Sequence, residues 1–318
     1  MLVLALLVAA ALGVREALLP DPAVSAAGRT GTDRSSGTSS PHPTTSPPRS
    51  GPTGIYANTR ATDFSPAVHG DPELVYVPEG AAGMVQVIDA KTFKIVKRFT
   101  VGSYPEHVTP SWDLTKLYVD VSASSKLVVI DPRTGTVTRT IAGIDHPYNL
   151  YFTPDGTKAI VVVEYYNRLD FRDPHTWKLI KSVSMPCSGP DHADFSPDGS
   201  YFLISCEFDG IVVKVDAEQM KVLEKIDVGG LPVDIKISPD GSAFYVANQG
   251  TNGVSVVDAA TDRVIKFIRT GKGAHGFAVS RDGHNLYLSN RLAGTISVIS
   301  FASRAVVATW HVGGSPDM

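Results

Sequence analysis

Histidines and carboxylates recur at a fixed distance from a turn, and that spacing is the first sign of chemistry in this 318-residue chain. Four residues before a turn Ser or Thr stand His107, Asn149, His192, Asp234 and Gly276, with Ser111 as the turn residue of the first unit. Immediately before them stand Glu106, Tyr148, Asp191, Val233 and His275. Imidazole and carboxylate bind Zn, Cu, Fe or Ni and serve as acids and bases. Such a ring suits a small polar ligand or, as weaker candidates, a metal on His107, His192 and His275. It would equally form a hydrated funnel whose polar groups satisfy backbone and water.

A second aligned set, Ser122, Glu164, Glu207, Gln249 and Arg291, supplies carboxylates and a guanidinium that either hold a polar ligand or form a solvated rim. There is no Gly-x-Ser-x-Gly elbow, no phosphate-cradling Gly-rich loop, no Cys-x-x-Cys pair and no His-Glu-x-x-His. No catalytic residue is assigned, which counts against a hydrolase or a nucleotide enzyme. Cys187 and Cys206 flank one hairpin, whose folding brings them to the same end. In an exported chain an even count of cysteines favours a disulfide; two separate buried thiols are the alternative.

The elements that must position these residues repeat. An aliphatic run closes on a polar turn opener at Asp89, Asp131, Asp173, Asp216, Asp258 and Ser300, at intervals of 42, 42, 43, 42 and 42. Five of the six openers carry a hydroxyl three residues on, at Thr92, Thr134, Thr176, Thr261 and Ser303, able to bond within the turn. Between these turns lies another, Thr153-Pro154-Asp155-Gly156, repeated from Ser196 and Ser238 and varied as Ser280-Arg281-Asp282-Gly283. Pro suits the first corner and Gly the positive φ at the last. Four short antiparallel strands fit within each unit, the pattern of a β-propeller blade. Lysines such as Lys97, Lys181 and Lys225 alternate with apolar residues on the outermost strands and oppose edge-to-edge pairing.

The stretch Ala243-Phe244-Tyr245-Val246-Ala247-Asn248, then Val254 to Asp258 and Gly271 to Gly276, resembles the YVTN-type repeat of the cytochrome d1-like and lactonase-like seven-bladed propellers. The resemblance spans 55–318 and implies an all-β propeller of four-stranded antiparallel blades. It also implies seven blades. Six repeats are visible, and Val312 to Met318 reopens the link seen at Val101 to Glu106, so the expectation is a truncated seventh blade, the alternative being a six-bladed ring that takes its missing strand from the Ile55 segment.

The segment 1–26, with an uncharged run from Met1 to Val14, reads as a signal peptide or signal anchor. The segment 27–54 reads as a disordered linker, because from Gly28 to Gly54 the chain is almost entirely Ser, Thr, Gly and Pro, with no aliphatic or aromatic residue to offset the cost of ordering. The expected location is extracytoplasmic, secreted or tethered to a membrane or cell wall. With 29 Lys and Arg against 32 Asp and Glu, the net charge is −3, which disfavours a nucleic-acid partner.

The leading expectation is an exported, non-catalytic scaffold whose channel mouth and top face bind a protein, a glycan or a small ligand, with no cofactor. The resemblance implies two alternatives. One is a redox, tetrapyrrole or transition-metal propeller with His107, His192 or His275 as axial ligand or proton donor, although no Cys-x-x-Cys-His is present for c-type haem. The other is a lactonase-like hydrolase using Glu207 or His192.

Overall fold

The computed structural model describes residues 54–59 and 63–317. The leader at 1–26, and the linker at 27–54 except for its last residue, lie outside the described residues. Helical structure among the described residues is confined to four single 3-10 turns; no helix is long and apolar enough to cross a membrane.

Six antiparallel sheets follow one another along the chain. Blade 1 has three strands, Leu74–Glu79, Met84–Asp89 and Ile95–Thr100. Blades 2 to 6 have four each, in meander order, with inner strands Pro105–Pro110, Asn149–Phe152, Pro190–Phe195, Pro232–Ile237 and Ala274–Val279. The four-stranded blade and the all-β class are as the repeat implies. A seventh blade is not among the described residues.

Burial follows position in the blade. The second strand of blade 5, Ala243–Asn248, is buried at every residue, because neighbouring blades cover both of its faces. The outer strand Thr136–Ala142 is exposed at every residue except Ile141. Five apolar clusters fill the five junctions between consecutive blades. Phe171 and Phe202, for example, meet between blades 3 and 4, and burying such a ring contributes about 1.5–3 kcal/mol. No sixth cluster joins blade 6 to blade 1 among the described residues.

The turns behave as their residues dictate. Asp89 accepts from the backbone and hydroxyl of Thr92 at 2.7 and 2.9 Å, and Asp173 and Asp258 treat Thr176 and Thr261 the same way. In the second turn type Asp155 accepts from Thr153 Oγ1 at 2.6 Å, and Gly156 takes φ +69° where the Trp112 ring leaves no room for a Cβ. Hydrogen bonds from Thr153 and Thr157 pull the Asp155 carboxyl down to about 2. The cysteines form the disulfide Cys187–Cys206, with a Cα separation of 6.1 Å.

Candidate functional site

A two-residue irregularity builds the site. In four inner strands the ladder register slips between Pro105 and Val108, Pro190 and Ala193, Pro232 and Ile235, and Ala274 and Phe277. The residues that slip out are Glu106 and His107, Asp191 and His192, Val233 and Asp234, and His275 and Gly276. Bulges re-aim side chains, and these turn the aligned positions toward the axis. The proof is contact across an intervening blade. His107 of blade 2 and His192 of blade 4 stand edge to face, ring centroids 5.0 Å apart, although blade 3 separates their strands. Only the axis of a propeller brings such residues together.

Around this pair the polar groups differ in state. His107 Nδ1 lies 2.7 Å from the Tyr148 carbonyl, to which it donates, leaving Nε2 as an acceptor. Burial, and then the charge of His192, push His107 down to about 4, so it is neutral at pH 7. His192 behaves oppositely: burial opposes its charge, but the Asp191 carboxylate, 2.6 Å from Nδ1, outweighs burial and lifts it to about 9. Asp191 is 1% exposed and His192 3%. Their contact joins chain neighbours without hydrogen-bond alignment, so Asp191 Oδ1 and Oδ2 and His192 Nδ1 and Nε2 all lack an aligned hydrogen-bond partner. Against burial, the charge of His192 and then the Tyr148 hydroxyl hold the Asp191 carboxyl low. The Tyr148 hydroxyl itself, raised by burial and then by Asp191, stays protonated; its ring is 5.1 Å from His107 and 6.1 Å from His192.

A second cluster lies beside the first. His275 Nδ1 is 2.9 Å from Asp317 Oδ1, and Arg291 Nη1 is 3.2 Å from His275 Nε2. Burial raises the Asp317 carboxyl, but His275 and then Arg291 overcome it and hold the group at about 2. Asp317 had no place in the sequence reading, although it stands one repeat after His275. Its carbonyl accepts from Ser289 Oγ as that of Val233 accepts from Ser205 Oγ, so the tail sits where the entry to a following inner strand sits elsewhere.

Other expected site residues are employed in the fold. Asp234 Oδ1 and Oδ2 accept from the backbone of Ile235 and Phe277, both at 2.7 Å, clamping blade 5 to blade 6. Asn149 accepts from Leu150 N at 2.8 Å and donates to Tyr151 Oη at 3.0 Å. Glu106 accepts from Ser122 Oγ at 2.8 Å. Glu164 opens the 3-10 turn Glu164–Tyr166 and Glu207 is buried after the second strand of blade 4; both follow the strand end that the sequence alignment placed them on. Asp120 was also missed. It is fully buried on the second strand Leu117–Val121, both oxygens without a partner, and burial, then Glu106, hold its carboxyl well above the usual range. An acid in an apolar strand, where blades 4 and 6 place Ser205 and Ser289, was the available signal.

Among the described residues no three His, Cys, Asp or Glu side chains converge as a metal-binding group.

Meandering four-stranded blades around a polar axis define a β-propeller of the YVTN-repeat class. Residues 54–318 match the model of the YNCE-like beta-propeller family, and the chain belongs to that family. No curated protein matches the sequence. Among solved structures, hydrazine synthase of Kuenenia stuttgartiensis is similar at 20% identity and a TM-score of 0.68, over 78% of this chain and 86% of that one. A functionally unknown protein from Desulfotomaculum acetoxidans DSM 771 has 20% identity and a TM-score of 0.66, over 76% and 81%. The dihydro-heme d1 dehydrogenase NirN in complex with DHE has 15% identity and a TM-score of 0.59, over 85% and 72%. At these identities the likeness is one of fold.

Proposed function

We propose that this protein is an extracytoplasmic, non-catalytic binding scaffold that seats a small polar ligand at the mouth of its channel. The observation that carries the reading is His192 Nε2, a buried donor with no partner, set beside the buried Asp191 carboxylate. Leaving a buried polar group unsatisfied costs about 1–3 kcal/mol. A ligand offering an acceptor to the His192 imidazolium and a donor to the Asp191 carboxylate or to His107 Nε2 would recover that cost. The uncharged N-terminal run, the Ser/Thr/Gly/Pro segment and the Cys187–Cys206 disulfide support export.

Two other readings draw less support. A tetrapyrrole, the class of ligand named with NirN, is one: His192 is 3% exposed, and the His107 ring packs against those of His192 and Tyr148, which leaves a macrocycle little approach to a ring nitrogen. His192 is disfavoured as a lactonase-like base, because the Asp191 carboxylate keeps it protonated at neutral pH.

The test is an absorption spectrum with elemental metal analysis, followed by a thermal-shift screen of small carboxylates, amino acids and polyols. The expected protein is colourless and free of stoichiometric metal, and one class raises its melting temperature in a manner lost in His192→Ala. A stoichiometric metal or a Soret-type band, lost with His107→Ala or His192→Ala, would overturn the reading.

A further inference from the structure

The mouth-side rim of blade 3 carries aromatic side chains that the fold does not require. Tyr165 and Tyr166, in the turn Glu164–Tyr166, are 60% and 47% exposed. The corresponding turn of blade 2 holds Ala123 and Ser124, and that of blade 5 holds Gly250 and Thr251. The same backbone is therefore made without large rings. In blades 4 and 6 the residue matching Tyr165, which is Phe208 or Leu292, lies directly against a glycine, Gly189 or Gly273. In blade 3 the place of that glycine is taken by a second ring, His146. It is held in the left-handed region at φ 36°, where blades 4 and 6 place Gly189 and Gly273 at 68° and 75° and blade 2 places another ring, Tyr104, at 58°. A side chain kept in that region despite its backbone cost points to a use for that side chain.

The rings form a corner. His146 and Tyr165 are stacked, 5.1 Å between centroids and 20° between planes, and Tyr166 stands at 89° to Tyr165, 4.9 Å away. A charged pair borders them: Arg168 Nη2 lies 2.9 Å from Asp145 Oδ2, and the Arg168 guanidinium sits over the Tyr166 ring at 5.4 Å. Hydrogen bonding to His146, then Arg168, lowers the Asp145 carboxyl and keeps it ionised.

We propose that His146, Tyr165 and Tyr166, with Asp145 and Arg168, form a glycan-binding site for a pyranose unit. The electron-rich face of an aromatic ring attracts the weakly positive C–H face of a sugar. The Asp145 carboxylate and the Arg168 guanidinium beside the rings match the hydroxyls that project from the sugar's rim. A protein partner would favour a wider apolar centre from which charge is excluded; here the ion pair adjoins the rings. The site shares no residue with the Asp191–His192 pair and stands or falls separately from the channel reading.

Isothermal titration of the full chain with hexasaccharides of β-1,4-linked glucose and of β-1,4-linked N-acetylglucosamine tests the site. At least one should bind. Replacing Tyr165→Ala together with Tyr166→Ser, the residues of blade 2, should weaken binding at least tenfold with an unchanged melting temperature. Tyr165→Phe with Tyr166→Phe should retain it, because stacking needs the ring rather than the hydroxyl. No binding of either hexasaccharide at millimolar concentration, or binding that survives the Ala/Ser exchange, would overturn the proposal.

Discussion

Asp191 and Asp194 lie three residues apart on one inner strand, Pro190–Phe195, and serve opposite ends. Asp194 accepts from the backbone of Phe195 and of Ile237, each at 2.9 Å, so its carboxylate ties blade 4 to blade 5. Asp234 repeats that device one blade on, with Lys236 Nζ 3.7 Å from it. Asp191, toward the mouth, holds a charge against burial beside His192 and the Tyr148 hydroxyl and binds no backbone N–H. The same residue type thus builds the ring at one level and stays available at another. The bulge turns Asp191 out of the ladder while Asp194 remains in paired strand, but Asp234 is turned out as well and still meets the backbone of the next blade; what separates clamp from free carboxylate is whether that blade presents an N–H to it.

The strongest way to break this comparison is to remove a clamp. Asp234→Ala strands the N–H groups of Ile235 and Phe277 in the interior and takes a carboxylate from Lys236. It should lower unfolding free energy by on the order of 3–5 kcal/mol in urea titration. A loss below about 1 kcal/mol would show that these carboxylates are not clamps. Next, replacing both cysteines by serine frees the link that leads to Pro190, and should cost about 2–4 kcal/mol.

The two histidines give the mouth a pH signature of opposite limbs. His192 is raised to about 9, so its contribution is complete below its ordinary value and is lost as pH rises through about 9. His107 is depressed to about 4, so its contribution is complete above its ordinary value and is lost as pH falls toward about 4. Stability measured across this range should flatten on the alkaline side in His192→Ala and on the acid side in His107→Ala. If neither limb changes, the mouth is solvated and the contrast with Asp194 fails.

Asp191→Asn sharpens the comparison with less disturbance. It should change stability less than Asp234→Ala does, by about 1–2 kcal/mol, because no backbone hydrogen bond is lost and the cost of burying the carboxylate is relieved with it. The imidazole NMR titration of His192 should move down from about 9, as its carboxylate partner is gone. The smallest effect belongs to the surface, where Glu218 lies 2.8 Å from Lys158 with its side chain 82% exposed. Water screens such a pair, so Glu218→Ala should lower unfolding free energy by about 0.5 kcal/mol at most in the same urea titration.

Much of the fold was legible because it is local and repeated. Asp-x-x-Thr and Ser-Pro-Asp-Gly turns are made by side chains bonding two or three residues along, so their chemistry can be read from the chain alone. Hairpin geometry and the even count favoured the cysteine pairing over two separate thiols, and the disulfide is formed. Alignment on the turns also collected His107, Asp191, His192 and His275, which the structure brings to the axis. It failed to separate them from Asp234 and Asn149, since position in the repeat is identical while Asp234 finds a partner in the next blade and Asn149 finds the Tyr151 hydroxyl on its own strand. Asp317 went unassigned because its partners, His275 and Arg291, lie in the preceding blade.

The period of the repeat, the turn chemistry and the alternation of apolar residues were enough by themselves to determine a propeller of four-stranded blades, because each is a short-range preference of the backbone. Which carboxylates are clamps, which histidine is charged, and which rings stand unburied on the rim were decided only by tertiary structure. Those properties depend on distance across the axis and on exclusion of water, and neither is set until separate blades close around the same space.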